Sequence, residues 1–354
     1  MIVKKILIRI GLIVASVILL MIIVVIALFW NELQSLASIR KLDDYGMFQM
    51  TYYGDYGFDD FLLVGAESDY DIEDFVIKRL LKGLPIDISI TGGGCTVFMA
   101  YSPENELIFG RNFDFNYAPS MQVFTNPRNG YASVSTVNLA FVGYSEDHLP
   151  RGLNFRSFLT LAAPYLPFDG MNEKGLAIAL LAVPEAEPPF DENKVMLNTT
   201  TVIRLVLDYA STVDEAVALL KEYNIYFSAD IYCHYLIGDA SGQSVLVEYF
   251  DGDIKVVTTD ENFQIASNFI AYNDVNIGEG FCEFERYDTV YNVITGNNGV
   301  INMVQAVDLL ADVGCFFEEI DRLQWSVIYN LSTLDGIIFA NRNTGNLISF
   351  ELTH

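Results

Sequence analysis

An α+β layered domain behind one membrane-spanning helix is the architecture this sequence predicts, on three observations. Residues 10–30 run without a charge. Beyond residue 95, strand-like apolar runs and alternations dominate, and helical stretches interrupt them in groups. Apolar residues make up 52% of the 354, enough for a substantial core in one large domain or two medium ones. Mixed strands with grouped helices imply stacked layers of sheet and helix.

The N-terminal elements come first. At about 1.5 Å per residue, the run 10–30 is long enough to cross a bilayer of about 30 Å. Residues 1–9 form a cytoplasmic tail in this reading, because Lys4, Lys5 and Arg9 precede the run and Glu32 follows it. The body then lies outside the cytoplasm. A cleaved signal peptide and a secreted body are the competing reading, with Ser35-Leu36-Ala37 acceptable to a signal peptidase. The run exceeds the about 7 to 15 residues of a signal core, which favours a retained anchor. Residues 31–94 read as linker and pro-segment, with an amphipathic stretch at 71–84. The remaining 95–354 form the body.

Within the body, residues 177–183, 235–238, 244–250 and 254–258 read as strands. Helical periodicity covers 201–209 and 212–223, the latter opening with Thr212 three residues before Glu215 in a capping box. A further helix at 302–313 precedes final strands at 324–330, 336–340 and 347–352.

Composition excludes several functions. With 46 acidic against 20 basic residues the formal charge is −26. Such a surface repels phosphate backbones and anionic headgroups, so no nucleic-acid partner is expected and membrane contact falls to the N-terminal helix. Cys95, Cys233, Cys282 and Cys315 are too few for a disulfide framework. With Cys95 kept as a thiol the other three leave an odd residue, and no bridge is predicted. No Cys-x-x-Cys occurs and the adjacent Cys233 and His234 cannot easily face one ion, so neither metal nor cofactor is expected.

The densest chemistry lies at Gly92-Gly93-Gly94-Cys95. Three glycines free the backbone before the sulfur. Two apolar runs follow, joined by Ser102-Pro103-Glu104-Asn105, and read as a hairpin with Cys95 opening the first strand and Arg111 and Asp114 ending the second. A sulfur, a cation and a carboxylate are thereby brought near one point. On residue chemistry alone, such a Cys reads as a small buried apolar residue, and Arg111 with Asp114 as a structural ion pair. Of His148, His234 and His354, only His234 sits where it could pair with a thiol.

This constellation resembles the choloylglycine hydrolase group of linear amide hydrolases, which includes bile salt hydrolases, penicillin V acylases and, more distantly, acid ceramidase. Arg111 and Asp114 stand 16 and 19 positions after Cys95, as in that group, and the run from Asp169 to Leu176 looks like its second signature. The resemblance implies the four-layer αββα sandwich of N-terminal nucleophile hydrolases. It also implies cleavage of the Gly94-Cys95 bond, after which the α-amine of Cys95 serves as base. A reference pKa of about 7.7 to 8.0 suits that amine to exchanging a proton with a thiol of about 8.5. Arg111 would favour the thiolate and Asp114 would orient the amine.

By the same resemblance, Asn268 in Ala266-Ser267-Asn268 and a backbone N–H near Ala182 would bind the oxyanion, and Arg286 in Glu285-Arg286-Tyr287 would be a further active-site cation. Ala182 departs from the bile salt hydrolase pattern, which has a polar residue there. Asn172, Glu173 and Lys174 look like a tight turn shaping the pocket wall. Asn268 as a plain turn residue, and Arg286 paired with Glu283 or Asp288 along a helix, remain open beside these roles. The implied function is a membrane-anchored, exported cysteine amidase acting through an acyl-enzyme. An acyltransferase using the same intermediate and an unprocessed binding or sensor module remain as alternatives, and no residue pattern singles out the acyl group or the oligomeric state.

Overall fold

Apolar residues on both faces of the hairpin strands demand cover on both sides, and the fold supplies it. The computed structural model describes residues 2–80, 94–150, 155–272, 277–278, 283–317, 320–321 and 323–352. The chain opens with helices α1 (Ile2–Leu28) and α2 (Trp30–Ala37), strands β1 (Arg40–Lys41) and β2 (Met47–Thr51), and helices α3 (Phe58–Val64) and α4 (Asp69–Arg79). The predicted hairpin follows as β3 (Gly94–Tyr101) and β4 (Leu107–Asp114). Next come β5 (Ser120–Thr125), β6 (Ser133–Asn138), β7 (Pro167–Asn172), β8 (Ala177–Ala182) and β9 (Met196–Asn198). Helices α5 (Thr199–Tyr209) and α6 (Val213–Leu220) lead into β10 (Asn224–Tyr226), β11 (Cys233–Gly238), β12 (Ser244–Phe250), β13 (Asp253–Val257) and β14 (Gln264–Ala266). The last part holds β15 (Phe269–Ile270), β16 (Ile277–Gly278), α7 (Glu283–Gly296), α8 (Met303–Asp312), β17 (Phe316–Phe317), β18 (Ile320–Asp321), β19 (Leu323–Asn330), β20 (Asp335–Ala340) and β21 (Ile348–Glu351).

One nine-stranded sheet runs β1-β2-β5-β6-β7-β8-β11-β12-β13 and a six-stranded one runs β14-β3-β4-β19-β20-β21. Helices α5 and α6 pack on the first, α7 and α8 on the second, and β3 meets β8 between the sheets. This is the αββα sandwich. The period-2 alternation of a strand assigns its side chains to two cores. Cys95, Val97 and Met99 of β3 enter the core between the sheets. Phe98 and Ala100 enter the one beneath α7 and α8, with Ile108, Val290, Ile294 and Leu310. Gly110 sits opposite Phe98, whose ring a Cβ there would meet at 2.4 Å, so the hairpin closes only over a glycine.

Residues 31–80 are more than a linker. Strand β2 pairs with β5 in parallel and becomes part of the nine-stranded sheet. Met47, Met50, Phe58, Phe61 and Ile72 are buried in the main core. Tyr52, Tyr56 and Phe58 of this segment are core anchors, and Tyr56 donates to the buried Asp208 at 2.6 Å. Residues 81–93, including Gly92 and Gly93, lie outside the described residues. Residues 8–28 of α1 are exposed and, with mean hydropathy 3.3, long and apolar enough to cross a membrane, a criterion that a signal sequence also meets.

Candidate active site

The hairpin register sets the site. Cys95 stands opposite Phe113, Val97 opposite Arg111 and Gly94 opposite Asp114. Cys95 and Arg111 therefore share one face of the sheet, and Asp114 lies on the other with Thr96. The thiol, the guanidinium and the carboxylate are near in sequence and register but are divided by the strand itself.

On the inner face, Arg111 is fully buried and donates to the Cys95 sulfur at 3.6 Å and to the Leu180 carbonyl at 3.1 Å. Its charge is balanced by Asp169 at 3.2 Å. Trp325 and Tyr329 donate to that carboxylate at 3.0 and 2.6 Å. The guanidinium also lies over the rings of Phe113 and Trp325, at 5.1 and 5.5 Å. Burial and the nearby Asp114 carboxylate push the Cys95 thiol above its ordinary pKa, while Arg111, Arg286 and the backbone N–H of Ala182 pull it down without reversing the shift. Arg111 acts on the thiol in the expected direction, but burial outweighs it.

On the outer face, Arg286 of α7 reaches over the strand. Its Nη1 donates to Asp114 Oδ2 at 2.9 Å and to Thr96 Oγ1 at 3.1 Å, and its Nη2 donates to Asn268 Oδ1 at 2.6 Å. Arg286 therefore belongs to this cluster. Asp114 also accepts the Cys315 backbone N–H at 2.8 Å. The backbone N–H of Cys95 donates to Asn268 Oδ1 at 2.6 Å. A Cβ on Gly94 would lie 3.4 Å from both Asp114 and Arg286, so the peptide preceding Cys95 rests against this ion pair. The Asn268 amide nitrogen donates to the Ala182 carbonyl at 2.8 Å, leaving its second hydrogen for another acceptor.

Asn172 is not brought to this site. Its nitrogen donates to the Leu207 and Ala210 carbonyls and its oxygen accepts the backbone N–H groups of Lys174 and Leu176. It closes the β7–β8 turn, where Gly175 takes a φ of +73°, and ties that turn to the end of α5. The turn expected over Asn172, Glu173 and Lys174 exists, but it is a scaffold corner.

Two contributors, Asp169 and Ser267, escaped the sequence reading as partners of the site, and His234 has a different part from the thiol partner weighed for it. Asp169 was visible only as part of a motif, since nothing near it in sequence marks it as the counter-charge of Arg111. Ser267 donates to the Cys95 carbonyl at 3.2 Å. His234 is bonded through Nδ1 to Glu248 and through Nε2 to the Ser267 carbonyl, both at 2.9 Å. Both ring nitrogens are thus engaged within the protein. His234 acts as a strut beneath residues 267–272, with Glu248 also accepting the N–H groups of Ala271 and Tyr272. His148 is exposed and bonded to Ser145, and His354 lies outside the described residues.

The cysteines correct another expectation. Cys315 is disulfide-bonded, and Cys95 and Cys233 are buried and free. The odd residue is Cys233, which lines the same cavity as Cys95. No group of three or more His, Cys, Asp or Glu side chains among the described residues is placed to hold a metal ion.

The Cys95 sulfur opens on an apolar cavity of about 40 Å³, walled by Phe113, Phe115, Phe141 and Phe168 with Leu180 and Ile231. Leu180 and Ala182 come from β8 and Cys233 from its neighbour β11, so the opposing sheet forms the floor.

Comparison with known proteins accords with this geometry. The chain is 30% identical over 185 residues to a bile salt hydrolase/transferase of Clostridium perfringens, covering 48% of this chain and 54% of that one. It is 35% identical over 111 residues to a penicillin V acylase of Pectobacterium atrosepticum, covering 28% and 29%. The chain thus spans about half, or less, of these curated relatives. Among solved structures, a conjugated bile acid hydrolase from Clostridium perfringens superposes with a TM-score of 0.53 at 18% identity, over 73% of this chain and 92% of that one, which shows the shared fold. The profile of the linear amide C-N hydrolases, choloylglycine hydrolase family, matches residues 95–293. That match begins at Cys95 and takes in more than half of the chain, which belongs to this family.

Proposed function

We propose that this protein hydrolyses a linear carbon-nitrogen amide bond through an acyl-enzyme on Cys95, after cutting its own Gly94-Cys95 bond. The observation that carries the reading is the convergence on one residue: Arg111 donates to the Cys95 sulfur, and Asn268 accepts from the Cys95 backbone nitrogen. Nucleophile and prospective base thus belong to one residue, gripped at both atoms.

In maturation, the thiol attacks the Gly94 carbonyl and the Cys95 nitrogen leaves with a proton. Water then hydrolyses the thioester, giving a Gly94 carboxylate and a Cys95 α-amine. In turnover that amine takes the thiol proton and the sulfur adds to the substrate carbonyl. The oxyanion is met by the free N–H of the Asn268 amide and the Ala182 backbone N–H, donors worth about 2.7–4 kcal/mol each in such roles. The departing amine receives the proton, and water resolves the thioester. Asn268 Oδ1 and the Asp114 carboxylate, next to the space that Gly94 vacates, would hold the α-amine, with Arg286 fixing both.

We also propose that α1 anchors the body outside the cytoplasm. The basic residues ahead of it support that orientation, and the bridge at Cys315 suits an oxidising compartment. The function is tested by intact-mass and N-terminal analysis of wild type and Cys95→Ala, alongside amide hydrolysis. Wild type should begin at Cys95 and be active. Cys95→Ala should stay joined and inert, and an active enzyme with the Gly94-Cys95 bond intact would overturn the mechanism. Transfer of the acyl group to an added amine, in place of hydrolysis, would make it an acyltransferase.

A further inference from the structure

A second small void adjoins the cavity at Cys95, on the side where the chain upstream of the nucleophile packs. The two share the walls Phe141, Phe168 and Thr200, and the far side of the second is closed by Asp69 and Ile72 of α4. That helix precedes the nucleophile and lies outside the region that the family profile matches. It is fastened there: Asp69 Oδ1 accepts Ser228 Oγ at 2.7 Å and Tyr226 OH at 3.2 Å, and Ser228 lines the catalytic cavity itself. Ile72 is buried at 2% exposure.

A pocket that extended across these shared walls and closed at α4 would assign the two halves of an amide. The amine must leave before the thioester is resolved, so it needs the open side, and the acyl half stays on sulfur in the closed one. The walls are aromatic, with Phe113 stacked on Phe115 and Phe141 on Phe168 at centroid distances of 5.4 and 5.1 Å. The free space is about 40 Å³. An apolar cavity that holds benzene has about 150 Å³. A slender chain fits such a slot better than a ring system.

We propose that α4 is the end wall of the acyl pocket, that Ile72 is a specificity-determining residue limiting the length of the acyl group, and that the substrates are amides of unbranched aliphatic acids. This rests on the amidase reading given above. The segment upstream of Cys95 is then a working part of the enzyme as well as the piece released from the nucleophile.

The test measures binding and turnover on the full-length chain in nanodiscs. Calorimetry follows the unbranched carboxylic acids from butanoate to octanoate and one polycyclic carboxylic acid, and hydrolysis follows the 7-amino-4-methylcoumarin amides of the same acids. Affinity should rise about fourfold per methylene until the chain meets α4, then level or fall. Ile72→Ala should move that limit to longer acids and Ile72→Phe to shorter ones, in binding and in hydrolysis alike. Ile72→Val, a milder change that keeps the fold if the others do not, should gain about fourfold for the acid one methylene beyond the wild-type limit. An unchanged limit in the folded Ile72 variants overturns the end wall. Preference for the polycyclic acid, or no binding of any acid, overturns the substrate class. Binding with an Ile72-dependent limit but no hydrolysis leaves the wall standing and removes the amidase reading.

Discussion

Asn268 grips Cys95 by its backbone: the Cys95 N–H donates to Asn268 Oδ1 at 2.6 Å, and Arg286 donates to the same oxygen at 2.6 Å. An oxygen with two such donors fixes which end of the amide faces which group, so the nitrogen end points to Ala182. In the mechanism proposed above, the two ends serve different steps. Asn268→Asp keeps the acceptor and loses the donor, so it should still be cut before Cys95 while its kcat falls by about 10² to 10³, as removal of an oxyanion donor does. Asn268→Ala should lose both. Mass spectrometry reads the cut and steady-state kinetics the turnover, and an Asn268→Asp enzyme that matures and turns over like wild type would remove the oxyanion role.

The pair Arg111–Asp169 has no exposed atom on either side chain. Removing one partner of a buried pair strands the other charge and costs about 3–5 kcal/mol. Asp169→Asn should therefore lower unfolding stability by that amount, although Asn can still accept from Trp325 or Tyr329. Denaturant unfolding measures it. A loss below about 1 kcal/mol would mean that Arg111 finds another counter-charge.

His234 should prove dispensable as a base and needed as a strut. In His234→Ala, activity should stay within about tenfold, roughly 1.4 kcal/mol of barrier, and the inflection of the pH profile should not move. Acid stability should change instead. Burial pushes the Glu248 carboxyl up, but the bonds from His234, Ala271 and Tyr272 more than reverse this and hold it below its usual value. A lowered folded-state pKa contributes stability that is present above the unfolded value and lost as pH falls through the folded one. Without His234 the burial effect is less opposed, so the acid-unfolding midpoint should move to higher pH. Circular dichroism against pH checks this; an abolished activity in a folded variant would return His234 to the role of base.

The hairpin and the α+β layering were legible because they are written in local signals, a Pro-Glu-Asn turn, period-2 apolar strands and capped helices, while the αββα order followed from the family resemblance. Asn302 with Gln305 forms a full capping box at the start of α8, and the periodicity placed that helix within a residue. Strand β6 was hidden for the opposite reason. Its Ser133 and Ser135 look like loop residues, but they are buried and accept from the buried Arg204 at 2.9 and 3.2 Å. A cation from another layer completes that pattern, and no window along the chain contains both. The same holds for the site. Spacing brought Cys95 and Arg111 to one face, yet it also suggested that Asp114 shares it, and only strand register shows the carboxylate on the far side with Arg286. Asn172 failed because an Asn in a signature motif and an Asn closing a turn look alike until their bonds are seen.

Cutting the Gly94-Cys95 bond should leave the upstream segment in place. Five residue pairs join β2 to β5, from Met47 with Ser120 to Thr51 with Phe124, so release would open an edge of the nine-stranded sheet. Met47, Phe48, Met50, Phe58, Phe61, Ile72 and Val76 are all buried at 2% exposure or less. Burial contributes about 1.5–3 kcal/mol for each such side chain, a gross term above the about 8 kcal/mol of a micromolar complex. Tyr56 adds its bond to Asp208, whose burial raises its pKa to about 6 and makes a lost donor costly. The mature enzyme should therefore run as two bands on a denaturing gel and as one species in mild detergent. In that species the body stays bound through the upstream segment to α1, although no covalent bond joins them. Tyr56→Phe, with Asp208 left one donor short, should release the fragment at lower denaturant than wild type does. Mature wild-type body eluting without the upstream fragment in mild detergent would show that the sheet edge parts freely and that the segment serves only before the cut.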